Sequence, residues 1–368
     1  MNMYILEEIH IAKNHGYQTR NVYQTAVKQY CNYHDMTLEE LIEEAEKEED
    51  AGIKWKHTKL KKRLITFRHY LIETHPLNTV RTYFHKITSI YDYYEISIGP
   101  LPRVNKKSYT TPEPIQFKDL PDKEIIREAI NISTPVMKAI ILFMTSSGCA
   151  RTETLNLTIQ DYINSLQDYT TKTDIIEIID EINKKENIIP TFAVLRVKTN
   201  KYYTTYCSPE AVKAINSHIL SRENIAPHDK LFKINKQYFI DKFQDLNDEL
   251  GLGKVGKYNR LRSHMLRKFH ASALYNDGMS IDKVNDLQGK AKNKTDAAYF
   301  MTNPEDLKAE YIEHLPALMM GKEVEKIKIK SPEYIRLESE NKEYKESLEE
   351  MWEEINNIKK RNDIWDEL

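Results

Sequence analysis

His264 and Arg267 stand three residues apart; the chain then passes Gly278 and a Leu287-Gln288-Gly289-Lys290 sequence, and Tyr299 follows Lys290 by nine positions. Three apart on a helix, an imidazole and a guanidinium share a face and can meet one ligand. The chemistry these side chains suit is phosphoryl transfer. That reaction spreads negative charge over the equatorial oxygens, and a planar guanidinium answers with a fixed pair of donors. An imidazole that titrates near neutrality moves or positions a proton. A phenol can take up the phosphoryl group and keep its bond energy in a covalent link, so that a second hydroxyl can reverse the step. Singly, each residue is ordinary. With 23 tyrosines in the chain, any one is more often a packing residue than a nucleophile.

In this order the residues resemble the second conserved box of the tyrosine recombinases, the integrase and Xer family, where H-x-x-R is followed by L-G-H and then the nucleophilic Tyr. The intervals of 26 residues from His264 to Lys290 and nine from Lys290 to Tyr299 are similar to those of the bacterial Xer enzymes. Upstream, Ser146 to Tyr162 reads SSGCARTETLNLTIQDY and resembles the family's first box, with Gly148, Glu153, Leu157 and Asp161 in register. Arg151 sits one position later than the bacterial pattern places its arginine. Lys290 stands where most relatives have His or Trp, so it can donate to a phosphate oxygen but cannot serve as a neutral imidazole. The resemblance implies a DNA strand cleaved and rejoined through a 3′-phosphotyrosine, with Tyr299 the nucleophile and Arg151 and Arg267 the phosphate donors. His264 then handles or positions the proton. A hairpin lysine, Lys198 with Lys201 in reserve, protonates the departing 5′-oxygen. No metal or nucleotide cofactor is implied. The bland alternative for Arg151 is a helix-start arginine paired with Glu153; for Lys198 it is a solvated turn residue.

Length, composition and charge set bounds on this reading. The 368 residues suffice for two domains and an appendage. Few glycines and prolines and long Lys/Glu/Ile/Leu stretches predict a mainly α protein. A formal charge of −2 hides strong local fields. Residues 322–368 carry 10 basic and 14 acidic side chains, leaving the first 321 at +2, and Lys54 to Lys86 holds nine Lys/Arg against Glu73 alone. Lys254 to Lys268 holds six basic residues and no acid. A phosphate backbone responds to such local charge. Cys31, Cys149 and Cys207 are isolated, which predicts reduced thiols. The N-terminus lacks a basic segment followed by an apolar run, and the most apolar window, Val136 to Met144, is short and contains Lys138. A cytoplasmic protein with no membrane association is expected.

The elements that must position these groups follow from periodicity. Thr37 three residues before Glu40 predicts a capped acidic helix to Asp50. Two basic amphipathic helices follow, Ile53 to Glu73 and a segment from Pro76 through Tyr94. The resemblance makes residues 1–102 a helical core-binding domain that clamps DNA through Lys59, Lys62, Arg63, Arg68 and Arg81; any one of these is also read as part of a solvated face. Gly99 to Pro114 is rich in proline and small polar residues, and 103–116 is expected to be the linker. Residues 117–321 are then an α+β catalytic domain with helices over Asp122–Ile132 and Pro135–Ser146, a polar helical insert from Asn164 to Pro190, and a small hairpin within Thr191–Cys207. On the first strand Phe192, Val194 and Arg196 share one face. Arg262 and Lys268 extend the expected DNA-binding set beside His264.

Residues 322–368 should form a helical tail. Leu337, Asn341, Tyr344, Leu348, Met351, Ile355, Ile358, Asn362 and Trp365 recur alternately four and three apart, a heptad seam that fits either a coiled coil between subunits or a helix folded back on its own domain. The expected partners are double-stranded DNA and further copies of the chain, as a dimer or tetramer on DNA. Two alternatives stand beside the recombinase reading: a type IB topoisomerase-like nicking enzyme, and a DNA-binding protein that keeps the fold without activity, in line with the displaced Arg151 and the substituted Lys290.

Overall fold

A computed structural model describes residues 3–105, 114–290 and 302–321, together with Tyr344, Ser347, Leu348, Met351 and Trp352. Tyr299, the middle of the expected linker and most of the heptad seam lie outside the described residues; the five tail residues that are described are helical, and Tyr344, Leu348, Met351 and Trp352 are exposed. The described residues are mainly α-helical, with two small antiparallel sheets. None of their helices is long and apolar enough to cross a membrane. The chain divides into two compact units, residues 1–114 and 115–368.

The first unit is a set of helices, α1 (Met3–Ala12), α2 (Tyr17–His34), α3 (Leu38–Asp50), α4 (Lys59–Thr74) and α5 (Leu77–Tyr93). Thr37 caps α3 with the reciprocal Glu40 bond expected from the sequence. The basic stretch beginning at Ile53 is not one helix: Trp55–His57 forms a short 3-10 turn, and Thr58 then caps α4 by accepting from the Lys61 N–H. Leu60, Leu64, Phe67 and Leu71 recur at helical spacing and are buried with Tyr30 and Tyr91, whose hydroxyls lie 3.0 Å apart. The Gly99–Pro102 segment, read from composition as linker, is fastened to this unit. Trp55 Nε1 donates to the Pro100 carbonyl at 3.2 Å, Arg68 Nη2 donates to the Pro102 carbonyl at 2.8 Å, and a side chain at Gly99 would strike the Trp55 ring.

The second unit is built around α7 (Pro135–Ser147), nearly all of it buried. It follows α6 (Lys123–Ile132) and precedes α8 (Arg151–Asn156), α9 (Ile159–Ser165) and α10 (Ile175–Ile182). The insert containing α10 is less polar than its composition suggests, since Ile175, Ile178, Ile179 and Ile182 face the core at helical spacing. Strands β1 (Thr191–Arg196) and β2 (Lys201–Tyr206) pair antiparallel, with Arg196 opposite Lys201. Lys201 is therefore the first strand residue and not part of the turn, which spans 197–200 with Asn200 at φ 50°. After α11 (Pro209–Leu220) and α12 (Lys236–Glu249), the basic approach at Lys254 forms a minimal hairpin, β3 (Lys254–Val255) with β4 (Tyr258–Asn259). Then come α13 (Ser263–Asn276), α14 (Ile281–Leu287) and α15 (Pro304–His314). Tyr311 on α15 is fully buried and donates to the Ser146 carbonyl at 2.9 Å, tying the last described helix to the end of α7.

Candidate active site

The site is assembled where four chain turns converge, and Gly148 is the first of them. It ends α7 in the left-handed region at φ 66°, and a Cβ there would come within 2.6 Å of the His270 ring, so glycine answers both the backbone angle and the close approach. Its freed carbonyl accepts from Arg267 Nη1 at 2.5 Å. Two residues on, the Ala150 N–H donates to Glu153 Oε2 at 2.7 Å, which closes the first turn of α8 and aims a buried carboxylate inward. Arg151 is the first residue of α8.

The second turn is the start of α13, where Arg267 is only 8 % exposed. Besides Gly148, its guanidinium donates through Nη2 to the Gln288 carbonyl at 2.5 Å and stands 3.6 Å from Glu153 Oε2. His264, one turn earlier, is exposed, and its pKa is lowered first by partial desolvation and then by Lys268, Arg262 and Arg267. The imidazole is thus neutral at pH 7. Arg262 donates to the Asn259 carbonyl at 2.5 Å, with its guanidinium 4.7 Å from the centroid of the Tyr258 ring. Lys268 is half-buried on the same helix.

The third turn follows α14. Gln288 is buried and reaches back through Nε2 to the Arg267 carbonyl at 2.9 Å and to His270 Nδ1 at 3.2 Å. Gly289 lies at φ 57°, against the face of Tyr203, where a Cβ would fall 2.4 Å from the ring. Gly289→Ala should therefore cost at least the roughly 1–3 kcal/mol of a non-glycine left-handed residue and displace the Lys290 backbone as well; urea melting at pH 7 reads the loss, and a change below about 0.5 kcal/mol would contradict the packing. Lys290 is exposed, and its pKa is lowered by partial desolvation and by the Arg267 and Arg196 charges.

The fourth is the β1–β2 hairpin. Tyr203 on β2 donates to Glu153 Oε2 at 2.9 Å, and Arg196 at the end of β1 donates through Nη1 to Glu153 Oε1 at 3.3 Å and to the Gln288 carbonyl at 2.8 Å. Lys198 is exposed in the turn beyond, and Lys201 is exposed opposite Arg196.

A cavity of about 810 Å³ opens between α8, α12, the β3–β4 hairpin and α13. Arg151, Lys257, Arg262, His264 and Arg267 line it, and its described lining includes no carboxylate. The cavity thus brings Arg151 together with His264 and Arg267. Arg151 does not pair with Glu153, whose oxygens are taken by Arg196, Arg267, Tyr203 and the Ala150 N–H. Lys290 approaches the same guanidinium from the Gln288 turn, whereas Lys198 lies out on the hairpin.

The family model described as "Phage integrase family" matches residues 122–305 of this chain. The chain belongs to the phage integrase family. Among solved structures, this integrase-family chain is similar to XerH site-specific recombinase bound to difH substrate in a pre-cleavage complex, with 17% identity and a TM-score of 0.49 over 83% of this chain and 82% of that one. It is also similar to the Tn1549 transposon integrase in complex with circular intermediate DNA, with 14% identity and a TM-score of 0.42 over 80% of this chain and 99% of that one. No curated protein matches it.

The basic residues expected to bind DNA in the first unit of this integrase divide into two groups. Arg63 is committed to Glu44 through bonds of 2.6 and 3.2 Å that raise its pKa, and Lys59 reaches the same carboxylate at 3.0 Å. Arg68 is half-buried, bound to the Pro102 carbonyl and lying over Phe84. Lys62 and Arg81 are exposed. Sequence reasoning did not single out Gln288, Tyr203, His270 or Arg196 for the site. For Arg196 a signal was present: a guanidinium on the inward face of a strand, in line with Phe192 and Val194, needs a buried partner.

Proposed function

We propose that this chain is a site-specific DNA recombinase that cleaves and rejoins strands through a 3′-phosphotyrosine, acting on double-stranded DNA as a dimer or tetramer. Membership in the integrase family supports the reaction class. The observation that carries the reading is the cavity lined by Arg151, Arg262, Arg267 and His264, with no carboxylate among its described lining residues. Such an excess of fixed positive charge favours a group that is already anionic and becomes more so in the transition state.

In this reading Arg267 and Arg151 hold the equatorial oxygens of the scissile phosphate. Tyr299 attacks phosphorus and displaces the 5′-oxygen. His264, neutral at pH 7, accepts the phenol's hydrogen bond or proton, and Lys198 protonates the leaving oxygen. Lys290 donates to a phosphate oxygen. Lys62, Arg81, Arg262 and Lys268 carry contacts to the DNA backbone, with Lys59, Arg63 and Arg68 adding field from within the first unit. No step requires a cofactor, because the bond energy stays in the phosphotyrosine.

The test is covalent trapping on nicked suicide duplexes cut from the DNA on either side of this gene. Wild-type protein should form a denaturation-resistant adduct, and Tyr299→Phe should abolish it while binding the same duplexes. An undiminished adduct in Tyr299→Phe would remove this tyrosine from the reaction. Binding by the wild type with no adduct would favour the inactive DNA-binding alternative, which the displaced Arg151 and the substituted Lys290 motivate.

A further inference from the structure

We propose that Arg196 is a further ligand of the DNA phosphate, gripping it together with Arg267 and in addition to Arg151. The proposal rests on the recombinase reading for the identity of the anion, but its geometry is independent of that reading. Arg196 and Arg267 converge on two shared acceptors. Both donate to the Gln288 carbonyl, at 2.8 and 2.5 Å, and both face the Glu153 carboxylate, at 3.3 and 3.6 Å.

A structural role accounts for one nitrogen of Arg196 and not for the other two. Oε2 of Glu153 accepts from the Ala150 N–H and the Tyr203 hydroxyl and faces Arg267. The Gln288 carbonyl already has Arg267. Among the described residues Arg196 alone serves Oε1 of the buried Glu153, and a single nitrogen, Nη1, does so. The second guanidinium brings two like charges to one carboxylate, with Lys290 a third cation close enough for both arginines to lower its pKa. Such an arrangement is costly in the free protein and becomes favourable when an anion enters.

Arg196 does not itself line the cavity of Arg151, His264 and Arg267, but it shares two acceptors with Arg267, which does. One nitrogen of Arg196, Nη1, makes both of its protein bonds, and Nε and Nη2 have no hydrogen-bond partner among the described residues. With its side chain 18% exposed, the guanidinium is held firmly at one corner and open at the others. A planar donor pair of this kind matches two oxygens of a phosphate. Arg196 is also the last residue of β1, two positions before Lys198, so an anchored phosphate would lie at the root of the hairpin that carries that lysine.

Inorganic phosphate is the first probe, titrated against thermal unfolding of the full chain at constant ionic strength, with Lys213→Gln as a surface control. Phosphate should raise the melting temperature of the wild type and the control alike. Arg196→Gln should weaken apparent phosphate affinity about tenfold, and Arg196→Lys, which keeps the charge but not the fork, by about threefold. On the suicide duplexes, Arg196→Gln should lower adduct yield about a hundredfold with DNA affinity held within about threefold. A folded Arg196→Gln or Arg196→Lys with wild-type phosphate response, or a wild type that phosphate does not stabilise, overturns the proposal. If Arg196→Gln melts early without phosphate, Arg196→Lys decides. Absence of any wild-type adduct would sink the recombinase reading alone, because the phosphate titration is read without DNA.

Discussion

Arg267→Ala is expected to lower strand cleavage by about two to three orders of magnitude and to destabilise the second unit by roughly 3 kcal/mol. The two losses have separate origins. Cleavage suffers because the proposed reaction loses one of its phosphate donors. Stability suffers because, among the described residues, Arg267 is the one side chain bonded to both the Gly148 and Gln288 carbonyls, joining the end of α7 to the turn after α14. Without it Gly148 loses its guanidinium partner, while Gln288 and Glu153 retain Arg196. Arg267→Lys separates the effects. An ammonium keeps the charge but cannot span two carbonyls and still present a flat donor pair, so low-salt DNA binding should stay near wild type while adduct formation drops by about a hundredfold. Gel-shift and trapping assays on the same duplexes, with urea melts of each variant, measure both. Near-normal cleavage by a folded Arg267→Ala would exclude a phosphate role for this arginine.

The residues that joined the site from the sequence were those with local spacing to constrain them. His264 and Arg267 lie one helical turn apart, so their placement on one element follows from periodicity alone. Arg151 fell to the same cavity because the Gly148 turn fixes where α8 begins. What stayed hidden is the set of bonds between distant turns. Gln288 reads as a neutral turn residue, yet its backbone and side chain bind Arg196, Arg267 and His270, which come from β1 and α13. Such pairings depend on tertiary approach, which periodicity does not encode.

The same limit explains the basic face of α4, where charge counting treats Lys59 and Arg63 as free although Glu44 of α3 holds both. It also explains the Gly99–Pro102 segment, where proline content suggests a linker but two side chains bind its carbonyls. Composition records what a segment can do alone; the neighbouring helix decides what it does.

Acid should weaken the second unit steeply through His270. The imidazole is completely buried and lies against Gly148 and Gln288; burial first, then the Arg267 and Lys290 charges, push its pKa down to about 3. In the unfolded chain the same group titrates near ~6.5. Between these values the unfolded state binds a proton that the folded state refuses, so stability rises with pH across the window and is lost as pH falls from about 6.5 toward 3. At about 1.4 kcal/mol per pH unit, the full shift corresponds to roughly 4–5 kcal/mol, comparable with the lower end of a domain's total stability. His218 on α11, also lowered by burial, acts in the same direction, as does the depressed carboxyl of Asp229. The His270 share must therefore be taken as a difference. His270→Gln keeps a polar side chain beside Gln288 but cannot titrate. Urea melts at pH 7, 6, 5 and 4 should show the wild type losing stability faster than this variant by about one proton's worth of slope. Parallel curves would mean that the buried imidazole is not what acid attacks. The position of this group couples stability to chemistry, because a charged ring would press against the Gly148 turn and the Gln288 side chain, the two supports that hold Arg267 in place. Cleavage activity should accordingly fail with the acid transition in the wild type and persist to lower pH in any variant that keeps those supports while removing the titration.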